Sequence, residues 1–253
     1  MSTILIDDLS LYYEKSGRKG QKVLLLHGWG QNTQMMAFIA DFMKNHFIVY
    51  NIDFPGFGKS DEPKEPWGCE EYTDCIYKFC LKNKIENPII IAHSFGCRIA
   101  VRYAHRYGAK KMVLTGAAGI RDKRTLSWYF KTYSYKLGKK ILSLGVFGKL
   151  KEKLESEAGS EDYKNSSGVM RTTFVKVVND DIKDLLKDVS CETLLVFGEN
   201  DEATPVSKGK MMEKLMPNAA LVIFENDDHY AYFNEGARFN RVLEAFLKNE
   251  YDI

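Results

Sequence analysis

The sequence predicts an α/β fold with a mostly parallel sheet. Six apolar segments, rich in Val, Ile and Leu and without polar alternation, indicate strands that are covered on both faces. Stretches of helical length, such as Glu70–Lys84 and Phe95–Arg106, separate them, and this alternation is typical of α/β proteins. The six segments are KVLLLHG from Lys22, FIVYNIDF from Phe47, PIIIAHS from Pro88, KMVLTGAAG from Lys111, ETLLVFGEN from Glu192 and ALVIFEN from Ala220.

The alternation of strands and helices is interrupted between about Ile120 and Val189, where the sequence contains no apolar run typical of a strand. The segment contains SWYFKTYSYKLGKK, the polar stretch SEAGSEDYKNSSG and the helical pattern MRTTFVKVVNDDIKDLL. Because a long structureless loop is uncommon inside a domain, we predict a helical cap at 120–189, inserted into a core formed by 1–119 and 190–253. At the start of the core, ILIDDLSLYYEKSG predicts an antiparallel strand pair.

Composition narrows the class of protein. The chain has 253 residues, which suffices for one α/β core and an insertion, and its net charge of +2 offers no general argument for nucleic-acid or membrane partners. The five cysteines include no C-x-x-C pair, so a disulfide framework or zinc site is poorly supported. The start MSTILIDDLS lacks the features of a signal peptide. We therefore expect a cytoplasmic protein.

The sequence around Ser94 matches a nucleophile elbow, in which a serine lies on a sharp turn between a strand and a helix. Ala92 and Gly96 lie two residues before and after the serine, and small side chains are needed there because larger ones would collide in the turn. The helix begins behind the serine, so the N–H of Phe95 can meet an oxyanion. The alternative is an ordinary turn with a serine N-cap.

The segment after the first predicted core strand reads His27-Gly28-Trp29-Gly30. Glycines allow such a loop to approach a substrate closely, and the N–H of Trp29 would be a second oxyanion donor. Two donors matter because the tetrahedral intermediate carries its charge on one oxygen. A glycine-rich turn with a buried tryptophan is the alternative.

These motifs and three others resemble the α/β-hydrolase superfamily, in particular its small, capped, carboxylesterase-like Ser-His-Asp members. Asp53–Ser60 resembles the family's D-x-P-G-x-G-x-S turn, Gly198–Asp201 its G-x-x-D acid turn, and Asp227–His229 its late G-H loop. The resemblance implies a mostly parallel eight-stranded sheet flanked by helices, with a helical cap. It also implies hydrolase chemistry that needs no metal or organic cofactor. The sequence departs from the pattern at Cys97 and Asp228, where glycine is common.

The chain order Ser94, Asp201, His229 is the order that this fold uses for nucleophile, acid and base. His229 is preferred among five histidines because it alone follows the final predicted strand; His27 and His93 are interpreted as loop neighbours within their motifs, and His46 and His105 as solvated. Asp201 is preferred to Glu199 and Glu202 by its spacing from Gly198. The loop Thr115–Gly119, where some members keep their acid, contains no carboxylate.

The first part of the predicted cap is strongly basic. Between Arg121 and Lys153 there are ten basic and two acidic residues, a local excess of eight positive charges. A solvated helical face is one interpretation, and attraction of an anionic substrate or an acidic carrier is the other. Five aromatic residues there would line an acyl pocket or pack the cap: Trp128, Tyr129, Phe130, Tyr133 and Tyr135.

The leading hypothesis is a serine hydrolase that cleaves a carboxylic ester or thioester of a small or carrier-linked acyl substrate through an acyl-enzyme. The same triad would also serve a C–C bond hydrolase or an acyltransferase. A non-catalytic small-molecule receptor is the alternative outside enzymology, because fold alone does not determine function.

Overall fold

The computed structural model describes residues 2–121 and 161–251. Within these residues, eight strands form one sheet in the order β1-β2-β4-β3-β5-β6-β7-β8. The pairs β1–β2 and β2–β4 are antiparallel, and every other pair is parallel. The predicted mostly parallel eight-stranded sheet is therefore confirmed. The strands are β1 (Ser2–Ile6), β2 (Leu9–Ser16), β3 (Lys22–Leu26), β4 (Ile48–Ile52), β5 (Ile89–His93), β6 (Lys111–Thr115), β7 (Glu192–Gly198) and β8 (Ala219–Phe224).

Helices flank both faces of the sheet. In the described part of the chain they are α1 (Ala37–Met43), α2 (Cys69–Lys82), α3 (Phe95–Tyr107), α4 (Glu161–Asn165), α5 (Gly168–Val178), α6 (Val206–Leu215), α7 (Ala231–Asn234) and α8 (Gly236–Leu247). Short 3₁₀ helices occupy Thr33–Met36, Lys183–Asp188 and Lys248–Glu250. The predicted helices at Glu70–Lys84 and Phe95–Arg106 are thus observed as α2 and α3, with small shifts at their ends.

The core has two layers, one on each face of the sheet. Apolar side chains of α2, α3 and α6 pack on one face, and those of α1 and α8 pack on the other. Every residue of β5 and β6 is buried, because both strands lie in the middle of the sheet with helices on both sides. This explains why these strands are apolar without alternation.

The turn after β4 is held by Asp53, which is buried. Its two carboxylate oxygens accept hydrogen bonds from the N–H groups of Thr33 (2.6 Å) and Lys59 (2.8 Å). A Cβ on Gly58 would lie 2.0 Å from Asp53 Oδ2, so a larger residue could not occupy that position. The carboxylate thus holds together the segments that follow β3 and β4.

The predicted cap is only partly within the described residues. Residues 122–160, which carry the aromatic residues and all but one of the basic residues discussed above, lie outside them. The described remainder contains α4, α5 and the 3₁₀ helix Lys183–Asp188. It is joined to the core where Ile182 N donates to Gly119 O (3.0 Å). Within the predicted cap, the Arg121 side chain donates to Asn179 O (2.9 Å). The division into core and cap stays a prediction.

Candidate active site

Ser94 lies between the end of β5 and the start of α3, in a backbone conformation that is rare for a residue with a side chain (φ 47°, ψ −107°). Its N–H donates to Thr115 O on β6 (3.0 Å), which ties the turn to the neighbouring strand. A Cβ on Gly96 would lie 2.4 Å from Leu26 O and 2.8 Å from His27 O. Only glycine therefore allows α3 to begin this close to the end of β3.

Three predicted site residues from distant parts of the chain are in hydrogen-bond contact. His229 Nε2 lies 2.9 Å from Ser94 Oγ, and His229 Nδ1 lies 2.7 Å from Asp201 Oδ2. An ionised carboxylate can only accept hydrogen bonds, so the Nδ1 atom carries the proton and donates it to Asp201. Nε2 is then an acceptor, and the Ser94 hydroxyl donates to it.

Asp201 is buried at the turn after β7 and is surrounded by donors. Its Oδ1 accepts from the N–H groups of Ala203 (2.9 Å) and Thr204 (2.7 Å), and its Oδ2 accepts from the Thr204 hydroxyl (2.6 Å) as well as from His229. Burial acts to raise the pKa of Asp201, but the hydrogen bonds from His229 and Thr204 outweigh it and lower the pKa below its ordinary value. The carboxylate therefore stays ionised beside the imidazole.

The sequence does not predict Thr204 as a site residue, although its hydroxyl also lies 3.3 Å from His229 Nδ1. A hydroxyl three residues after the acid was a weak signal, because Ser and Thr are common in such turns. Glu199 and Glu202, the rival acids, are exposed. Glu199 accepts from Asn226 N (3.0 Å), so it stabilises the neighbouring loop instead of contacting His229.

Two histidines interpreted as loop neighbours are fully buried. His27 Nε2 accepts from Phe54 N (3.0 Å), and its Nδ1 donates to Gly28 O (2.7 Å). Burial lowers the pKa of His27 to about 4, although Gly28 O and Asp53 act in the opposite direction. His93 ends β5, and its ring lies against that of His229 with 4.8 Å between centroids. Burial also lowers the pKa of His93 well below its ordinary value.

The two residues that depart from the family pattern are both hydrogen-bonded in the structure. Cys97 is buried, and its thiol donates to Ala92 O at 3.3 Å. The Asp228 carboxylate accepts from Tyr230 N (2.8 Å) and from Asn234 Nδ2 (3.0 Å). It therefore stabilises the turn that carries His229.

A cavity of about 480 Å³ lies over Ser94. Among the described residues, those lining it are Gly28, Trp29, Gln31, His93, Ser94, Phe95, Arg98, Ala118, Asp162, Phe174, Val177, Val178, Ala203, Thr204, His229 and Tyr230. A second cavity of about 510 Å³ shares Trp29, Gln31, Asp162 and Tyr230 with the first. Both residues predicted to offer oxyanion donors, Trp29 and Phe95, thus line the cavity that contains Ser94. Phe95 is the first residue of α3, where an N–H has no partner within the helix.

Two family patterns match the sequence. The one described as alpha/beta hydrolase fold matches residues 22–140, and the one described as TAP-like protein matches residues 173–250. Together they include the serine turn, the acid turn and the late histidine loop. The chain belongs to the α/β-hydrolase superfamily. The observed sheet is the one expected for this superfamily, and the protein is a hydrolase of that superfamily.

Several relatives of this α/β-hydrolase align with it over nearly their whole lengths. The AB hydrolase superfamily protein YisY of Bacillus subtilis (strain 168) is 25% identical, with 95% of this chain and 96% of YisY covered. The pimeloyl-[acyl-carrier protein] methyl ester esterase of Aliivibrio fischeri is 22% identical, with 94% and 97% covered. The meta-cleavage product hydrolase CumD of Pseudomonas fluorescens IP01, as a mutant complexed with acetates, superimposes with a TM-score of 0.75 at 24% identity and 98% coverage of each chain. This last similarity concerns the fold alone.

Within residues 2–121 and 161–251 of this α/β-hydrolase, we find no helix with the length and hydrophobicity that a membrane span needs. The same residues contain no group of three His, Cys, Asp or Glu side chains arranged to hold a metal ion.

Proposed function

We propose that this α/β-hydrolase is a serine hydrolase that cleaves a carboxylic ester or thioester through an acyl-enzyme. The observation that carries the proposal is the continuous hydrogen-bonded series Ser94–His229–Asp201, whose serine and histidine line the cavity. Nucleophile, base and orienting acid in this order are what acyl transfer requires, because serine is a weak nucleophile until a base accepts its proton.

In this mechanism the Ser94 oxygen attacks the substrate carbonyl while His229 Nε2 takes the hydroxyl proton. Asp201 holds the imidazole in the correct tautomer and stabilises the imidazolium that forms. The N–H groups of Trp29 and Phe95 hold the oxyanion; removing one such donor typically costs about 3 kcal/mol of transition-state stabilisation. His229 then protonates the leaving group, and water hydrolyses the acyl-enzyme by the same steps.

Ester or thioester substrates are preferred because several relatives are esterases by name, including the pimeloyl-[acyl-carrier protein] methyl ester esterases. A carrier-linked substrate would also suit the basic segment of the predicted cap at 120–189, which we propose covers the cavity. The five unpaired thiols favour a reducing compartment such as the cytoplasm. A non-catalytic receptor would not need the three residues in mutual hydrogen-bond contact.

A fluorophosphonate probe tests the proposal directly, since it reacts with an activated serine. We expect stoichiometric labelling of the wild type at Ser94, no labelling of Ser94→Ala, and turnover of short p-nitrophenyl esters or acyl thioesters. Adding alcohols and analysing products would separate hydrolysis from acyl transfer. Folded wild-type protein that neither reacts with the probe nor cleaves any ester or thioester would overturn the proposal; cleavage of C–C substrates alone would replace the ester with that class.

A further inference from the structure

Arg98 lies on α3, four residues after Ser94, and lines the same cavity. Its side chain is buried, with 8% exposed. Among the described lining residues it is the only lysine or arginine; the same lining contains one carboxylate, Asp162, and the apolar residues Ala118, Phe174 and Val177. A charged side chain in such surroundings is expensive unless something compensates it.

The protein compensates this charge only in part. Arg98 Nη1 donates to the backbone oxygen of Asp180 at 2.5 Å. The carboxylate of Asp180 is engaged by Arg102, which contacts both of its oxygens and also contacts Glu70. In the described residues, then, the hydrogen-bond partner of Arg98 is a carbonyl, and the carboxylates of Asp180 and Asp181 act on its charge only through space. A guanidinium has five N–H donors in a planar fork that matches a carboxylate.

The spacing from Ser94 limits what this cation can bind. Arg98 is the fourth residue of α3, which begins directly after Ser94, and helical side chains lean towards the N-terminus of their helix. Arg98 therefore leans back towards the serine. The neighbouring cavity shares Trp29, Gln31, Asp162 and Tyr230 with this one and lacks Arg98, so a group bound by Arg98 would lie in the cavity that contains Ser94.

We propose that Arg98 binds a carboxylate at the far end of a short acyl chain whose carbonyl lies at Ser94. The substrate class would then be half-esters or half-thioesters of short dicarboxylic acids, and Arg98 would determine specificity within the reaction. This inference rests on the proposed hydrolase function and narrows its substrate. Burial lowers the pKa of Arg98, with Cys69, Asp180 and Asp181 acting in the opposite direction, which agrees with a desolvated cation; arginine nevertheless keeps its charge.

The test compares kcat/KM for monomethyl glutarate and monomethyl adipate with that for methyl valerate, measured by pH-stat titration. We expect the wild type to prefer the anionic esters, and Arg98→Gln to lower the ratio of anionic to neutral kcat/KM at least tenfold. Arg98→Lys should keep part of the preference because it keeps the charge. Arg106→Gln is the matched control: it removes a guanidinium from the same helix, but Arg106 pairs with Asp74 (3.1 Å) and does not line the cavity, so the ratio should stay at the wild-type value.

Folding is checked by circular dichroism and thermal unfolding. If Arg98→Gln does not fold, inhibition of the wild type by free glutarate and by valerate decides: stronger competitive inhibition by glutarate supports the proposal, and equal or weaker inhibition overturns it. A wild type that prefers methyl valerate, or an unchanged ratio in folded Arg98→Gln, also overturns it. Those results would leave the proposed function intact, whereas failure of that function would appear as absent turnover of every ester and absent labelling of Ser94.

Discussion

Asp201 receives hydrogen bonds from two backbone N–H groups, one hydroxyl and one imidazole. We expect Asp201→Asn to reduce kcat on the order of 10⁴-fold, because an amide can donate to Nδ1 and so hold the imidazole in the wrong tautomer. The measurement is kcat/KM of purified variants on any ester that the wild type accepts. Glu199→Gln and Glu202→Gln are the controls and should have mild effects, since both side chains are exposed. Full activity in Asp201→Asn together with a large loss in either control would move the acid to that residue.

Ser94→Ala and His229→Ala should each remove nearly all turnover, and the double variant should lose little more. The residues act as one unit, so once either is removed the other has no remaining role in the chemistry. Single and double variants are compared at saturating substrate, with folding checked by thermal unfolding. Losses that multiplied in the double variant would argue that the two side chains act separately.

The loop after β6 approaches the imidazole of His229 at Gly116, which has no side chain. A Cβ on Gly116, whose φ is +48°, would lie 2.9 Å from His229 Nδ1 and 3.0 Å from Cε1. Gly116→Ala should therefore displace the imidazole and lower kcat at least tenfold, since errors of about 1 Å in positioning have large effects on rate. The substrate's KM should change less than kcat.

Gly108→Ala is the matched control for this loop. Gly108 also has a positive φ (+78°), but its Cβ would meet nothing within 4 Å. Both variants should lose about 1–3 kcal/mol of folding stability through backbone strain, while only Gly116→Ala should lose activity. Equal loss of activity in the two variants would mean that strain, and not the contact with His229, is responsible.

All eight strands could be predicted, β1 and β2 as an antiparallel pair and the other six as continuous apolar runs. Of these six, β3 to β7 are largely buried, whereas β8 is a partly exposed edge strand. The turns at Ser94 and Asp201 could be predicted because their backbones demand small residues or fixed spacing. The complete burial of His27 and His93 could not be predicted, since it depends on partners far along the chain: Phe54 N for one and Thr115 for the other. The position of Arg98 in the cavity wall could not be predicted either, because helical periodicity does not indicate which buried side chains border a cavity.

The buried histidines make the whole molecule sensitive to acid. The pKa of His27 is about 4 in the folded protein, against an ordinary value of 6.5, so between these pH values the unfolded chain binds a proton that the folded protein excludes. The contribution to stability is complete above pH 6.5 and is lost as the pH falls towards 4. We expect a loss on the order of 3 kcal/mol in the free energy of unfolding, with His93 adding a change of the same sign.

Urea unfolding at a series of pH values between about 7.5 and 4.5 measures this effect. His27→Asn should show a smaller decrease over the range, because its side chain does not titrate. His46→Asn, at an exposed position, is the control and should follow the wild type. A wild type whose stability stays constant between about pH 6.5 and 5 would contradict the assignment of neutral, buried imidazoles.

Thiol reactivity offers a second test of the packing. Burial raises the pKa of Cys69 and Cys75 to about 12 and that of Cys80 to about 11, and it also raises the pKa of Cys97 and Cys191. Only Cys191 is partly exposed. Native protein at about pH 8 should therefore react with a disulfide reagent at Cys191 first, and denatured protein at all five positions. Cys191→Ser should abolish the early reaction; rapid labelling that persists in this variant would place another thiol at the surface.

Ser94 and His229 meet although 135 residues separate them in the chain. The site requires β7 and β8 to have joined the sheet, because the acid and the histidine follow these last two strands. A ribosome-bound chain that has emerged only as far as β6 has its serine but neither partner. During refolding, recovery of esterase activity should accordingly lag behind helix formation measured by far-ultraviolet circular dichroism, since contacts so remote in sequence form late. The appearance of a reactive Ser94 would thus report when the last strands join the sheet.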